Sequence, residues 1–291
     1  MDANKSNIQS IKRQSSLKFS VAICVYRNDY PEHFKEAMES IINQTVPPDE
    51  IVLVVDGPVP ESTEGLINNF SEMDFIKVIR FPKNVGHGNA RRRALENCSY
   101  NLVALMDADD ISVPDRFEKQ LQCFEQEEHL SIVGGNIIEF IDSLENQVSI
   151  RSVPQTHKEI TDFMKKRCPF NQMTVMMKLE DVERAGGYFD WYMNEDYYLW
   201  IRMFLNGAYF RNISEYLVFV RVGNAMYQRR GGWKYFLSEA KLQRYMLKND
   251  LIDFVQFSYN LIVRFFVQVV LPPRLRGVFF RTFARSKPHQ T

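Results

Sequence analysis

Short apolar runs that stop abruptly at polar residues, alternating with stretches of helical periodicity, predict an α/β chain. Its core would be a doubly wound, mixed sheet, with a helical extension at the C-terminal end. Two of the runs, Phe19 to Tyr26 and Glu50 to Gly57, are apolar at consecutive positions, as strands covered on both faces must be. A third, Leu102 to Asp107, delivers Asp107, Asp109 and Asp110 to a strand end. In such sheets the strand ends line the ligand crevice, so these acids are the first candidates for chemistry.

Each element follows in order. Pro31 to Asn43 places Phe34, Ala37, Met38, Ile41 and Ile42 at helical spacing, and Ser62 to Phe70 repeats the pattern more weakly. Phe75 to Phe81 is a further strand, and a helix over Asn89 to Asn97 leads into the strand carrying Asp107. The order is β-α-β-α-β, then helix and strand. A helix begins near Pro114. Ser131 to Phe140 reads as a strand kinked at Gly134-Gly135, Gln172 to Lys178 as another, and Gly186 to Asp190 as a turn.

Carboxylates at Asp107, Asp109 and Asp110 suit Mg²⁺ or Mn²⁺, which in turn clamps a nucleotide diphosphate. The same acids also suit the start of the following helix, and local sequence does not separate the two readings. The turn from Asn84 to Arg91 contains Gly86 and Gly88 but lacks the third glycine of a dinucleotide fingerprint, and it follows the third strand rather than the first. What remains is a glycine turn feeding a helix rich in guanidinium groups, fitted to a phosphate or base carbonyl or simply solvated. Glu195-Asp196, among Trp191, Tyr192, Tyr197 and Trp200, reads either as the start of an amphipathic helix or as a partly desolvated general base.

Taken together these segments resemble a family 2 glycosyltransferase of the GT-A fold. The resemblance rests on the strand ending Val25-Tyr26-Arg27-Asn28, on Asp56, on Asn84, Gly86, Ala90 and Arg91, on Asp107 and Asp109, and on Glu195-Asp196 followed by Leu199-Trp200 and Arg202. It spans roughly residues 18 to 222, and Arg27 stands where the family more often has a small residue. It implies an inverting transfer from a nucleotide-diphosphate sugar, with UDP as the expected nucleotide. Tyr26, Asn28, Asp56, Asn84, Gly86, Arg91 and Asp107 would bind the nucleotide, and Asp109 would be the principal ligand of Mn²⁺ or Mg²⁺. Asp196 would be the base, and Asp110, Glu195, Trp200 and Arg202 would contact donor or acceptor. The acceptor would be a glycan or a lipid-linked saccharide used in surface polysaccharide biosynthesis.

Composition is compatible. With 291 residues, 45% of them hydrophobic, and a formal net charge of +0, the chain can bury a large core and has no general attraction for nucleic acid. Cys24, Cys98, Cys123 and Cys168 show no metal-type spacing and read as reduced packing thiols. His87 and His157 read as structural or solvated. Residues 1–17 form a polar tail without the apolar stretch of a signal peptide, 18–222 the catalytic domain, and 223–291 a helical, basic extension.

Within that extension, Gly231 to Lys248 is helical, and Asp253 to Leu271 carries Gln256, Asn260, Arg264 and Gln268 on one stripe of an otherwise apolar circumference. Interrupted every turn and ended by Pro272-Pro273, it would lie in a membrane interface or pack on the domain rather than span a bilayer. Arg274, Arg276, Arg281, Arg285 and Lys287 beyond it suit anionic lipid. The implied place of work is the cytoplasmic face of a membrane, with peripheral attachment. Two rivals stand beside the enzyme: a noncatalytic nucleotide-sugar-binding protein of the same fold, and a nucleotidyltransferase.

Overall fold

The computed structural model describes residues 15–223, 231–272, 275–276 and 285–286. Its sheet begins with parallel strands β1 (Phe19–Tyr26), β2 (Glu50–Asp56), β3 (Ile76–Arg80) and β4 (Leu102–Asp107), ordered β3-β2-β1-β4. The chain runs outward from β1 to β3 and then returns to the other side of β1, so a crevice opens between β1 and β4. Register makes this concrete, since Tyr26 lies beside Asp56 and Cys24 beside Asp107.

Alternation along these strands feeds two cores. Val21, Ile23, Ile51, Leu53 and Met106 pack against α1 (Pro31–Ile42), α2 (Glu61–Ser71) and α4 (Arg116–Gln126). Ala22, Val52, Val54, Val103 and Leu105 face the opposite way, toward α3 (His87–Glu96) and α7 (Glu195–Leu205). Proline at the first position of α1 supplies a preset φ where no intrahelical N–H is needed.

The second half of the sheet is assembled from distant segments. β8 (Met176–Lys178) joins antiparallel between β4 and β6 (Leu130–Ile141), β9 (Tyr209–Arg221) pairs parallel with β6, and the short β5 (Ile111–Ser112) closes the far edge. β7 (Ser143–Arg151) forms a hairpin on β6. The stretch expected as one strand from Gln172 is a 3₁₀ turn over Gln172–Thr174 followed by β8, because Thr174 folds back to donate to the Asn171 carbonyl. At Gly134, a Cβ would stand 2.4 Å from Asn212 Oδ1, which explains the glycine in mid-strand.

After α5 (His157–Met164), α6 (Leu179–Arg184), α7 and β9 come two further helices, α8 (Trp233–Lys248) and α9 (Phe254–Phe265), the latter continued by a π turn over Phe266–Val270. The polar stripe of α9 points inward. Asn260 Nδ2 donates to Gln243 Oε1 at 2.7 Å and to the Lys165 carbonyl at 2.9 Å, and Arg264 pairs with Glu239 at 2.5 Å. Its apolar side is therefore exposed, with Phe254, Val255, Tyr259 and Ile262 between 61% and 76% accessible. Among the described residues, no helix is long and apolar enough to cross a membrane.

The basic tail departs from expectation. Arg276 is buried and caps the end of α9's continuation by donating to the carbonyls of Val267, Gln268 and Leu271, while Arg285 pairs inward with Glu139. Neither is presented to a lipid surface. Arg274, Arg281 and Lys287, and residues 1–14, lie outside the described residues.

Candidate active site

A cavity of about 830 Å³ lies over the crevice and is walled by both halves of the sheet. Tyr26, Asp56, Asn84, Gly86, Arg91, Asp107 and Asp109 line its first half, and Glu195 and Asp196 its second. Asn28 lines a neighbouring hollow of about 570 Å³ that shares Asp56 and Asn84. The residues expected from distant parts of the sequence thus converge.

Asp56 is buried and already employed. Its carboxylate accepts from Asn84 Nδ2 at 2.8 Å and from the Val85 N–H at 2.7 Å, fixing the turn before α3. Gly57, at φ +86°, must be glycine, since a Cβ would meet the Asn84 nitrogen at 2.6 Å. Gly86, at φ +88°, then turns the chain into α3.

Arg91 ties the halves together. Buried on the first turns of α3, it donates through Nη2 to Asp107 Oδ1 at 2.8 Å and through Nη1 to Glu195 Oε1 at 3.1 Å. His87 Nδ1 stands 3.1 Å from the same Nη1 and 3.5 Å from the Glu195 carboxylate. Burial opposes ionisation of Glu195, but the His87 hydrogen bond and the Arg91 charge outweigh it and lower its pKa. His87 therefore belongs to the site, contrary to the sequence reading. His157, stacked on Tyr209 and bonded to the Phe210 N–H, is structural as expected.

Asp196 sits on the cavity floor at the start of α7, following Met193, whose φ of +59° bends the chain into the helix. Loss of hydration, followed by the neighbouring Glu195 charge, raises its pKa to about 6. The Tyr197 N–H donates to it at 2.6 Å, and Cys168 Sγ lies 3.8 Å away. The desolvation expected for this acid is present, but of the four aromatic residues credited with it only Tyr197 lines the cavity. Cys24 and Cys168 are cavity-wall thiols rather than plain packing residues.

Three expected contacts are corrected. Trp200 is 0% exposed, packed edge-on against Phe170 and Tyr188 in the core. Arg202 donates to the carbonyls of Ala185 and Gly187 and stacks on Phe189 and Tyr198, clamping the Gly186 to Asp190 turn. That turn abuts α3, where a Cβ on Gly88 would lie 2.9 Å from the Phe189 carbonyl oxygen. Asp110 is 2% exposed and accepts from the Arg221 N–H at 2.9 Å, bracing β9 against the strand end.

Asp29, which the sequence reading passed over, lies at the same edge. Its pKa rises to about 7 through burial, with Asp109 and Asp107 adding to the shift. The pKa of Asp109 is likewise raised, by burial and then by Asp107. Only the crowding of strand ends reveals Asp29, since nothing in Arg27-Asn28-Asp29 marks it as distinct from any turn acid. Carboxylates at one desolvated edge are the donor type a hard divalent cation takes, but among the described residues no three acidic, histidine or cysteine side chains stand close enough together to form a metal cage, so the chemistry of the donors fits Mn²⁺ or Mg²⁺ while a full ligand set is not assembled.

Known proteins identify the family and the fold. The sequence profile of glycosyl transferase family 2 matches residues 20–184, and the chain belongs to that family. It is a glycosyltransferase. A Haemophilus influenzae protein described as an uncharacterized glycosyltransferase is 39% identical over 270 residues, covering 93% of this chain and 100% of its own. The Escherichia coli UDP-Gal:alpha-D-GlcNAc-diphosphoundecaprenol beta-1,3-galactosyltransferase is 34% identical over 268 residues, covering 92% and 97%. The amylovoran biosynthesis glycosyltransferase AmsE of Erwinia amylovora is 35% identical over 246 residues, covering 84% and 92%. Among solved structures, TarS of S. aureus in complex with UDP-GlcNAc superimposes with a TM-score of 0.63 at 18% identity, over 86% of this chain and 73% of that one. The shared fold is GT-A.

Proposed function

We propose that this glycosyltransferase is inverting, takes a UDP-sugar, and transfers the sugar to a hydroxyl of a lipid-linked saccharide in surface polysaccharide biosynthesis. The observation that carries the reading is Asp196, a buried carboxylate of raised pKa at the start of α7 that lines the same cavity as the acidic strand ends. In a one-step displacement one carboxylate base is enough. Asp196 takes the proton from the acceptor hydroxyl as that oxygen attacks the anomeric carbon from the face opposite the diphosphate. Relatives named for UDP-Gal, a diphosphoundecaprenol acceptor and amylovoran biosynthesis support the donor and acceptor classes.

Tyr26, Asn28, Asp56, Asn84, Gly86, Arg91 and Asp107 bind the nucleotide in this reading. Asp109, with Asp107 and Asp29 beside it, would hold Mn²⁺ or Mg²⁺, which when bound offsets charge building on the departing diphosphate. Glu195, paired with Arg91, keeps its charge and adds to burial in holding the proton affinity of Asp196 above the ordinary carboxylate value.

The chain works, on this reading, at the cytoplasmic face of a membrane. The outward apolar side of α9 supports that attachment better than the tail cations do. Each apolar side chain fully removed from water contributes roughly 1.5–3 kcal/mol, so half-burying several of them in a bilayer interface suffices. The test is release of nucleoside diphosphate across a panel of nucleotide sugars, with lipid-linked saccharide acceptors. UDP release that depends on acceptor supports the reading. Pyrophosphate release would instead mark a nucleotidyltransferase, and donor binding without turnover a noncatalytic binder.

A further inference from the structure

One serine of the C-terminal extension grips the turn that leads into Asp196. Ser238, on α8 and 8% exposed, donates through Oγ to the Tyr192 carbonyl at 2.6 Å and accepts at the same oxygen from Asn194 Nδ2 at 3.2 Å. Its own carbonyl accepts from Trp191 Nε1 at 3.4 Å. Lys234 and Lys241 share that face of the helix, and their ammonium groups stand 4.1 Å and 4.2 Å from the ring centres of Tyr192 and Trp191. Asn194 shows what this grip takes precedence over. It is the N-cap residue of α7, where an asparagine side chain ordinarily accepts from the free N–H groups of its own helix. Here it makes no such bond, and its buried amide turns to Ser238 instead. Beside it Met193 holds φ +59°, a conformation that persists in a methionine only where surrounding contacts enforce it.

We infer that Ser238 is a positioning residue for sugar transfer: its hydroxyl fixes the turn of residues 191–194 and so sets where Asp196 stands in the cavity. The inference rests on the role proposed above for Asp196, and it extends the apparatus of transfer into α8, past the family-matched residues 20–184. α8 is itself braced for that duty, because Glu239 pairs with Arg264 and Gln243 with Asn260 on α9. Without the hydroxyl, the Tyr192 carbonyl and the Asn194 amide lose their shared partner in a buried setting, which favours a turn that opens to water. Asp196 would shift and be hydrated with it. Burial raises the proton affinity of Asp196 most, and the Glu195 charge adds to it. The Tyr197 N–H, Arg91 and Arg151 oppose them, and the Cys168 thiol completes the surroundings. A hydrated Asp196 would therefore titrate lower.

The first reading of the test needs no substrate. In the full chain carrying isotope-labelled aspartate, the Asp196 carboxyl resonance, assigned by its absence from Asp196→Asn, is titrated by NMR. Ser238→Ala removes the tie, Asn194→Ala cuts it from the other end, and Ser238→Thr keeps the hydroxyl. Both alanine variants are expected to lower the midpoint by about one pH unit or more, and Ser238→Thr to stay near the wild type. The second reading is turnover with the donor and acceptor that the nucleotide-sugar panel identifies. There kcat should fall about tenfold or more in both alanine variants, the scale on which a small displacement of a reacting group acts, with UDP affinity unchanged and most of the rate kept by Ser238→Thr. An unmoved midpoint in Ser238→Ala overturns the inference even if the variant melts earlier, since a merely structural role lowers stability without altering how Asp196 titrates. A wild-type kcat in both alanine variants overturns it as well. Transfer by Asp196→Asn at the wild-type rate is a different failure, that of the base on which the inference rests, and it is read from a different variant.

Discussion

The two halves of the sheet are built by different rules. The first is four parallel strands joined by consecutive βα units, and its cavity wall carries Asp29, Asp56, Asp107 and Asp109. The second is stitched from β8, β6, β9 and β5, with β5 only two residues long, and its wall is basic. The contrast teaches that a half built of consecutive parallel βα units can be specified by local sequence, whereas the half stitched from distant strands depends on long-range pairing that no short window contains.

The largest effect that would sharpen this division comes from Asp196, the proposed base. Asp196→Asn keeps the shape and the Tyr197 N–H partner but loses basicity, so transfer should fall by roughly a hundredfold or more while UDP affinity stays unchanged. Loss of UDP affinity would move Asp196 to the donor side and break the comparison. Since the acid must be ionised to act and its pKa stands at about 6, wild-type transfer should drop roughly tenfold between pH 7 and pH 5 with donor saturating.

On the donor side, Asp109→Ala should remove most of the enhancement that Mn²⁺ or Mg²⁺ gives to UDP binding, by about tenfold or more. Isothermal titration with and without a chelator reads it directly; indifference to both would put the metal elsewhere.

The outer and inner faces of α9 form a smaller comparison. Replacing Tyr259, Ile262 and Phe266 by serine should weaken vesicle binding about tenfold or more while leaving unfolding free energy nearly unaltered, because these side chains are exposed in the folded chain. Asn260→Leu should do the reverse, costing about 1–3 kcal/mol in denaturant unfolding by leaving Gln243 and the Lys165 carbonyl unpaired.

The smallest effect concerns stability. Burial disfavours the ionised form of Asp196, so its charge costs stability above about pH 6 and costs nothing below about pH 4, where folded and unfolded states are both protonated. Asp196→Asn should therefore melt a few degrees higher than wild type at pH 7.5, with the gap closing toward pH 4, as differential scanning calorimetry would show.

The sequence made the parallel half legible because runs such as Glu50 to Asp56 are buried on both faces and end where the ligand edge begins. Asp196 and Arg91 were found through their company of motifs. Trp200 and Arg202 were misplaced for the converse reason, since two residues within a recognised motif can serve the core while their neighbours serve the cavity. α9 was read as a stripe, but whether its polar side faced water or protein depended on Glu239, Gln243 and the carbonyl of Lys165, groups spread from residue 165 to 243. His87 acquires meaning only through Glu195, and Asp29 only through Asp107 and Asp109, partners far away in the sequence.

The Arg91 tie and the Gly88 contact bear on how such enzymes can be recombined. A chimera that joins this donor half to a relative's acceptor half cannot treat the two as interchangeable cassettes. The incoming part must bring its own carboxylate to meet Arg91 and a turn that clears residue 88 by the same margin, or the guanidinium is left half-paired and the base is carried off its line. A splice placed after residue 184, keeping the family-matched segment with every strand but β9 and replacing everything from the Gly186 turn onward, asks the graft to supply both partners of α3 at once.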